Sequence, residues 1–233
     1  MNENVAKRVF ALEEGEGNAR WWGGGLATIK ATGKQTGDLY SIVEVLEPPG
    51  ASAPLHLHRK EDEAFYVLEG EMTFRIGEET IKARPGTFVF GPKDVPHTYT
   101  VDSGPARLLF LLSPAGFEGF IEAISEPARA RTLPPSESER SSDEDGPTEE
   151  AESAESFAVL EARYGCEIVG TPGRQPGREQ KNEESMYEDA ARTDGLEDGE
   201  GEARWWVGVS LVTIKATGKE TDGRYALGEV LEP

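Results

Sequence analysis

Two histidines stand two residues apart in "APLHLHRKEDEAFYVLEG", Ala53 to Gly70, and Glu63 follows five residues after the second. The third and last histidine, His97, lies in "DVPHTY" about forty positions downstream. Imidazole nitrogen and carboxylate oxygen together suit a borderline divalent cation, whereas a soft-metal or structural zinc site would call for thiolates. Cys166 is the only cysteine, so neither a thiolate cluster nor an intrachain disulfide is available. In an extended "PLHLH", residues i and i+2 face the same side about 6.6 Å apart. His56 and His58 can therefore reach one point above that face. "RKED" is short and polar enough to turn the chain, after which Glu63 can point back. His97 opens a further extended run after the Pro-containing loop "GPKDVP". Three nitrogens and one oxygen would leave two open positions around an octahedral ion.

The elements that must position these residues read as short strands. "YSIVEVLE", "EAFYVLEG", "EMTFRIG", "ETIKA", "GTFVFG", "HTYTV" and "ARLLFLL" are β-rich runs separated by Gly, Pro and Asp turns, between about Arg20 and Leu112. Many short strands at this spacing predict an all-β sandwich or barrel.

The ligand stretch resembles the first motif of the cupin superfamily: Gly, five residues, His-x-His, three or four residues, Glu, six residues, Gly. Gly50, His56, His58, Glu63 and Gly70 occupy every fixed position. The second cupin motif is matched by Gly86, Pro92 and His97, with Asp94 in place of the usual Gly and Val101 in place of the usual Asn. Asp94 can take the turn conformation often given to Gly. The resemblance, quercetin-dioxygenase-like and covering under half the chain, implies a double-stranded β-helix, a jelly-roll barrel. It also implies one divalent metal ion (iron, manganese, nickel, copper or zinc) held by His56, His58, Glu63 and His97. It leaves the chemistry open, because similar barrels host many activities and some host none.

Strand parity extends the site. If Glu63 faces inward, Phe65 and Val67 do too; if His97 does, so do Tyr99 and Val101. Met72, Phe74 and Ile76 form the apolar face of the next run, and Phe88 and Phe90 share a face of "GTFVF". The expected pocket is therefore aromatic and weakly polar: Phe65, Val67, Met72, Phe74, Phe88, Phe90 and Tyr99. Such a pocket suits a flat or apolar organic ligand better than a sugar phosphate. Tyr99 is the candidate proton donor near the metal, or else a core residue whose hydroxyl has a buried partner. Three readings follow: a metal-dependent dioxygenase-like enzyme on a small aromatic or enolic compound, a non-catalytic small-molecule-binding or sensor protein, and a metal-dependent isomerase or decarboxylase.

Composition narrows the partners. A formal net charge of −20 argues against nucleic acid and anionic membrane surfaces. No run is long and apolar enough for a bilayer, and the start "MNENVAKRVFALEEGEG" shows no apolar signal core, so a cytoplasmic location is expected. Residues 1–113 are read as the barrel and 114–133 as its C-terminal helix, with Ser113 as N-cap, Pro114 opening the helix and Pro127 stopping it. That helix is expected to pack on the barrel wall. Residues 134–156 carry nine acids and one arginine and read as a disordered linker. Residues 157–173 read as a short helix, capped by Ser156 and closed by Gly165, followed by an extended "CEIV". Residues 174–197 read as a second linker, with a short helix possible around Met186 to Arg192.

Residues 198–233 repeat the start of the barrel. "EGEGNARWWGGGLATIKATGKQTGDLYSIVEVLEP" returns as "DGEGEARWWVGVSLVTIKATGKETDGRYALGEVLEP", with one extra residue between the Trp pair and Thr213. Inside a strand, that residue would flip side-chain parity unless a bulge absorbed it. Trp21–Trp22 and Trp205–Trp206 are read as core or rim residues rather than ligand platforms. The copy ends before the histidine motif, which suggests a piece of a longer two-barrel protein. The alternative is a docking element for its own barrel or for the partner in a homodimer.

Overall fold

The computed structural model describes residues 9–135, 156–172, 195–196, 202–206, 210–217 and 226–231. Strands β1 (Asn18–Trp22), β2 (Gly25–Ala31) and β3 (Ser41–Glu47) form an antiparallel meander, with a one-turn helix α1 (Gly33–Thr36) between β2 and β3. The ligand strand β4 (Leu55–His58) follows, then β5 (Asp62–Ile76), β6 (Glu79–Ala83), β7 (Phe88–Gly91) and β8 (His97–Ser113). Helix α2 (Phe117–Ile124) leads to a two-residue strand β9 (Glu126–Pro127) that pairs with β1. Helix α3 (Phe157–Tyr164) leads into β10 (Cys166–Gly170), which pairs with β4. β11 (Gly195–Leu196) pairs with β7, while β12 (Glu202–Trp206), β13 (Ser210–Ala216) and β14 (Leu227–Leu231) make a separate three-stranded sheet.

This is an all-β jelly-roll barrel with short helices, and its ladders among the described residues are antiparallel. Its spine is the β5–β8 ladder, which runs from Asp62↔Ser113 to Ile76↔His97. Each of these strands was expected as two shorter ones. β5 is continuous because Gly70 turns the chain without ending the pairing: its φ is +85°, and a Cβ there would lie 2.7 Å from the Pro105 carbonyl. The ladder shifts register on both sides of it, which is how one strand carries two motifs. Alternate residues of the barrel strands (Val43, Val45, Phe65, Val67, Met72, Phe74, Tyr99, Val101, Leu108, Phe110) point inward and make the core.

Helix α2 begins at Phe117 with Gly116 as its N-cap. Ser113 is the end of β8 and not the cap. Its hydroxyl donates to the Leu39 carbonyl at 2.9 Å, which keeps it in the sheet. Glu118 holds the helix start by accepting from the Gly33 and Gly116 amides at 2.7 and 2.8 Å. Burying Phe117, Phe120 and Ile121 against the barrel contributes roughly 2 kcal/mol for each side chain.

The repeated segment folds as its original does. Trp206 pairs with Ser210 and Ala203 with Thr213, as Trp22 pairs with Gly25 and Ala19 with Thr28. The extra residue therefore falls between the two paired segments, and the ladder keeps its parity. Both copies have the same irregularity in the next ladder, at Ile29/Ala31 between β2 and β3 and at Ile214/Ala216 between β13 and β14. The copy neither extends the barrel sheet nor replaces β1–β3. Instead Ala216 and Leu227 lie on the outer face of the barrel, against Ala64, Tyr66, Phe88 and Phe90. The acidic segment from 136 to 155 and the helix expected near Met186 fall outside the described residues.

Candidate metal centre

His56 and His58 are two of the four residues of β4, flanked by buried Leu55 and Leu57. β4 meets β8 at one pair, His56↔His97, which brings the third imidazole beside the first two. Glu63, the second residue of β5, enters from the neighbouring strand. One donor atom from each of His56, His58, Glu63 and His97 lies within 4.8 Å of the others. His58, Glu63 and His97 are fully buried, and His56 is half-buried at the cavity edge. The Nε2 atoms of His97, His58 and His56 stand 3.0, 3.2 and 4.0 Å from Glu63 Oε2. Donors that share an ion at about 2.1 Å lie roughly 3 Å apart when adjacent, so the spacing fits the chemistry of the set.

The backbone fixes which nitrogen is free. His97 Nδ1 lies 2.9 Å from the Val95 carbonyl and His56 Nδ1 lies 2.7 Å from the Pro54 carbonyl. A carbonyl can only accept, so each Nδ1 carries a hydrogen, and each ring presents its Nε2 toward Glu63. Neither nitrogen of His58 has a hydrogen-bond partner. Three imidazole nitrogens thus converge on one carboxylate oxygen, and no single proton can serve all three. Burial, and then the neighbouring His97 and His58, pull His56 down to about 3, which keeps it neutral. Burial pushes Glu63 up, but His58 and His97 outweigh it and hold its carboxyl well below the usual carboxylate range.

Asp94, at the position where a glycine was anticipated, has φ +66°. Its amide donates to the His58 carbonyl at 2.7 Å, which ties the loop before His97 to the ligand strand. Its carboxylate holds Arg59, which also grips Glu167 of β10.

Above the cluster lies a cavity of about 270 Å³. Of the residues expected to line it, Phe65 and Tyr99 do so. Val67, Met72 and Phe74 lie deeper, in the packed core. Phe88 and Phe90 do not face it at all. Phe65 stands opposite Val89 in the β5–β7 ladder, and directly opposed residues share a face. Val89 is therefore the inward residue, and Phe88 and Phe90 join Tyr66 and Ala64 on the outside. The remaining wall comes from elements that parity along one strand does not locate: Trp22 from β1, Phe117 and Phe120 from α2, and Phe157, Cys166 and Ile168 from the α3–β10 segment. Helix α2 is thus part of the cavity as well as the barrel wall, with Phe117 edge-on to His58 at 4.6 Å. Among the described lining residues there is no Lys or Arg.

One acid escaped the sequence reading. Glu47, the last residue of β3, is buried at the cavity, and Tyr99 donates its hydroxyl to Glu47 Oε1 at 2.7 Å. Burial pushes Glu47 up to about 7 against the opposing pull of that hydrogen bond. Burial and the Glu47 charge push Tyr99 well above the ordinary phenol range. The alternation of β3, with Val43 and Val45 inward, also points Glu47 inward, so parity was the available signal.

Residues 43–112 match the cupin domain family. Over 220 residues, 94% of this chain, the sequence is 30% identical to quercetin 2,3-dioxygenase of Bacillus subtilis (strain 168), covering 61% of that protein. A 70-residue stretch is 30% identical to an uncharacterized protein of Methanocaldococcus jannaschii, covering 56% of it. The chain thus spans about three-fifths of the length of these curated relatives. Among solved structures, an RmlC-like cupin from Shewanella frigidimarina aligns with 48% of this chain and 98% of its own at 21% identity, with a TM-score of 0.42.

Proposed function

Because the chain belongs to the cupin superfamily, we propose that it is a divalent-metal-dependent, dioxygenase-like enzyme acting on a small aromatic or enolic compound. The observation that carries this reading is the convergence of three Nε2 atoms on Glu63 Oε2, with two of the rings pinned by backbone carbonyls. Four ligand atoms of these types gathered at one buried point are the arrangement that one divalent ion would take up. A divalent ion held by His56, His58, Glu63 and His97 would supply a Lewis acid with open positions for substrate and dioxygen.

The chain's own residues supply the remainder. Phe65, Phe110, Phe117 and Trp22 give flat apolar walls that would orient a planar ring and exclude water. With no lysine or arginine among the described lining residues, a phosphorylated or carboxylated ligand finds no counter-charge from a side chain of the wall. The similarity to a protein named for dioxygenation of quercetin, a hydroxylated aromatic compound, supports the same class.

Oxygen consumption tests the reading directly. The purified chain, loaded in turn with iron, manganese and nickel, is mixed with a panel of flavonols and β-diketones. Metal-dependent oxygen uptake with at least one compound is expected, and it should disappear in His97→Ala. Tight ligand binding with every metal and no uptake would replace the enzyme reading with a binding or sensor protein. Turnover without oxygen would indicate isomerisation or decarboxylation.

A further inference from the structure

We propose that the outer face of the β7–β5–β8–β3 sheet is a twofold interface for a second copy of this chain, and that the repeat β12–β14 is an in-chain competitor that occupies one half of it.

The face is apolar where solvent would call for polar residues. Directly opposed residues share a face of a sheet. Ile42, Leu111, Ala64 and Phe90 therefore form one outward row across β3, β8, β5 and β7. The next row is Leu109, Tyr66 and Phe88, and it ends at Glu44 on β3. Elsewhere on the barrel the outward residues opposite one another are Thr73, Arg75, Lys82 and Thr100, all polar. An antiparallel sheet with one wet side alternates apolar inward and polar outward. The second region keeps that pattern and the first breaks it, so the first is built to be covered.

What covers it identifies the partner. The repeat places Ala216 and Leu227 against Ala64, Tyr66, Phe88 and Phe90. The pair Ala216↔Leu227 in one ladder corresponds to Ala31↔Ile42 in the other, so Leu227 is the copy's counterpart of Ile42. Leu227 and Ile42 line the same cavity of about 260 Å³, together with Leu109 and Leu111. A surface that receives the counterpart of one of its own residues, beside that residue, is self-complementary. That is the property of an isologous contact, in which each subunit returns what the other gives. The repeat completes half of such an exchange. It corresponds to Glu14–Pro48, which forms β1–β3, so it offers Leu227 to β5 and β7 but brings no β5 or β7 to receive Ile42. A second copy of the barrel carries both sides and makes both contacts.

The repeat has a different advantage. β11 pairs with Val89 and Phe88 at the end of the same sheet, and Lys215 donates to the Gly86 carbonyl at 3.4 Å. These contacts tether it beside the face, where it competes at an effective concentration on the order of millimolar. Self-association is therefore held back while the repeat is docked and released when it is displaced.

The test uses the full-length chain. Leu227→Asp puts a charge into the apolar contact and should expel the repeat. Sedimentation velocity between about 1 and 100 μM is expected to show wild type as a monomer and this variant as a dimer, with association strengthened by about tenfold or more. Adding Ile42→Asp should return the monomer, with far-UV circular dichroism and metal content unchanged. A disulfide reports the symmetry, because it needs Cα atoms within about 7 Å of one another. Ile42→Cys combined with Leu227→Asp should link two chains through position 42 of each on mild oxidation. Two controls should link about tenfold more slowly or less: Ile42→Cys with the repeat intact, and Glu78→Cys, in the β5–β6 turn, combined with Leu227→Asp. If Leu227→Asp associates no more than wild type, or associates without linkage through position 42, the twofold interface is refuted. Linkage as fast in Ile42→Cys alone would remove the repeat as competitor and overturn the proposal equally. None of these readouts depends on turnover, so they stand apart from the test of the enzymatic reading.

Discussion

Glu61 Oε1 stands 3.9 Å from His58 Nδ1, with both side chains buried. That distance is too long for a hydrogen bond, so no proton is shared between the two groups in this geometry. It lies behind the ring, on the side away from Glu63. A polar group behind a ligating imidazole helps to fix its orientation. Glu61→Gln is expected to weaken metal binding by about tenfold while the barrel stays folded. Competition with a chromogenic chelator measures this. An unchanged affinity would leave Glu61 as a packing residue.

His56→Ala should have a larger effect on metal and a small effect on fold. The barrel is held by the β5–β8 and β3–β8 ladders and the core between them, none of which depends on His56. Metal content after purification and dialysis is expected to fall to less than about a tenth of wild type, with far-UV circular dichroism unchanged. An unfolded variant would mean that the cluster is structural.

Stability should fall as pH rises, through Glu47. Its carboxyl titrates near 7 in the folded chain against 4.5 ordinarily, so the folded state holds a proton that the unfolded state has released. The contribution is fully present below pH 4.5 and is lost as pH passes through about 7, for a total of roughly 3 kcal/mol. Glu61, also pushed up to about 7 by burial and by Glu63, acts in the same direction. His56, pulled down to about 3, acts in the opposite one, since its contribution is present above pH 6.5 and lost on acidification. The difference between wild type and Glu47→Gln isolates one group. Urea unfolding of metal-free protein at pH 5 and pH 8 should show wild type losing roughly 3 kcal/mol more than the variant.

Ending the chain at Pro172 removes Ala216 and Leu227 from the outer face of the barrel and uncovers Ala64, Phe88 and Phe90. Exposed apolar sheet of this kind seeks another partner. The shortened protein is expected to keep its metal, to melt about 3 °C lower or more, and to sediment as a larger species. If melting temperature and sedimentation are unchanged, the repeat contributes nothing to the barrel.

The four side chains that meet at the centre could be read from residue type and spacing alone, because a two-residue strand period and two short turns leave them few other places to go. The barrel followed from the same alternation. Two things were less accessible. Phe88 and Phe90 were placed by their own alternation without the partner strand, and only the Phe65↔Val89 pairing decides which of the two faces is inside. The cavity walls from α2 and from the α3–β10 segment depend on contacts across more than a hundred residues in the latter case, and no local pattern encodes them. Glu47 lay in plain view on the inward parity of β3, but a carboxylate there contradicts the expectation that an inward face is apolar, and its partner Tyr99 is 52 residues away.

The pairing of β10 with β4 has a kinetic consequence. Cys166 meets His58, and Ile168 meets His56, only after the chain has closed a loop of more than a hundred residues. Closing a flexible loop of that size costs about 4 kcal/mol of chain entropy beyond the constant term, before any contact compensates it. The strands from β1 to β8 face smaller separations between neighbours such as β5 and β6, so they are expected to assemble first. On that order of assembly the histidine strand is expected to keep an open edge until β10 arrives, with the cluster of donors already complete. At that stage the fourth wall has not arrived, and the route by which an ion enters is wider than in the finished molecule.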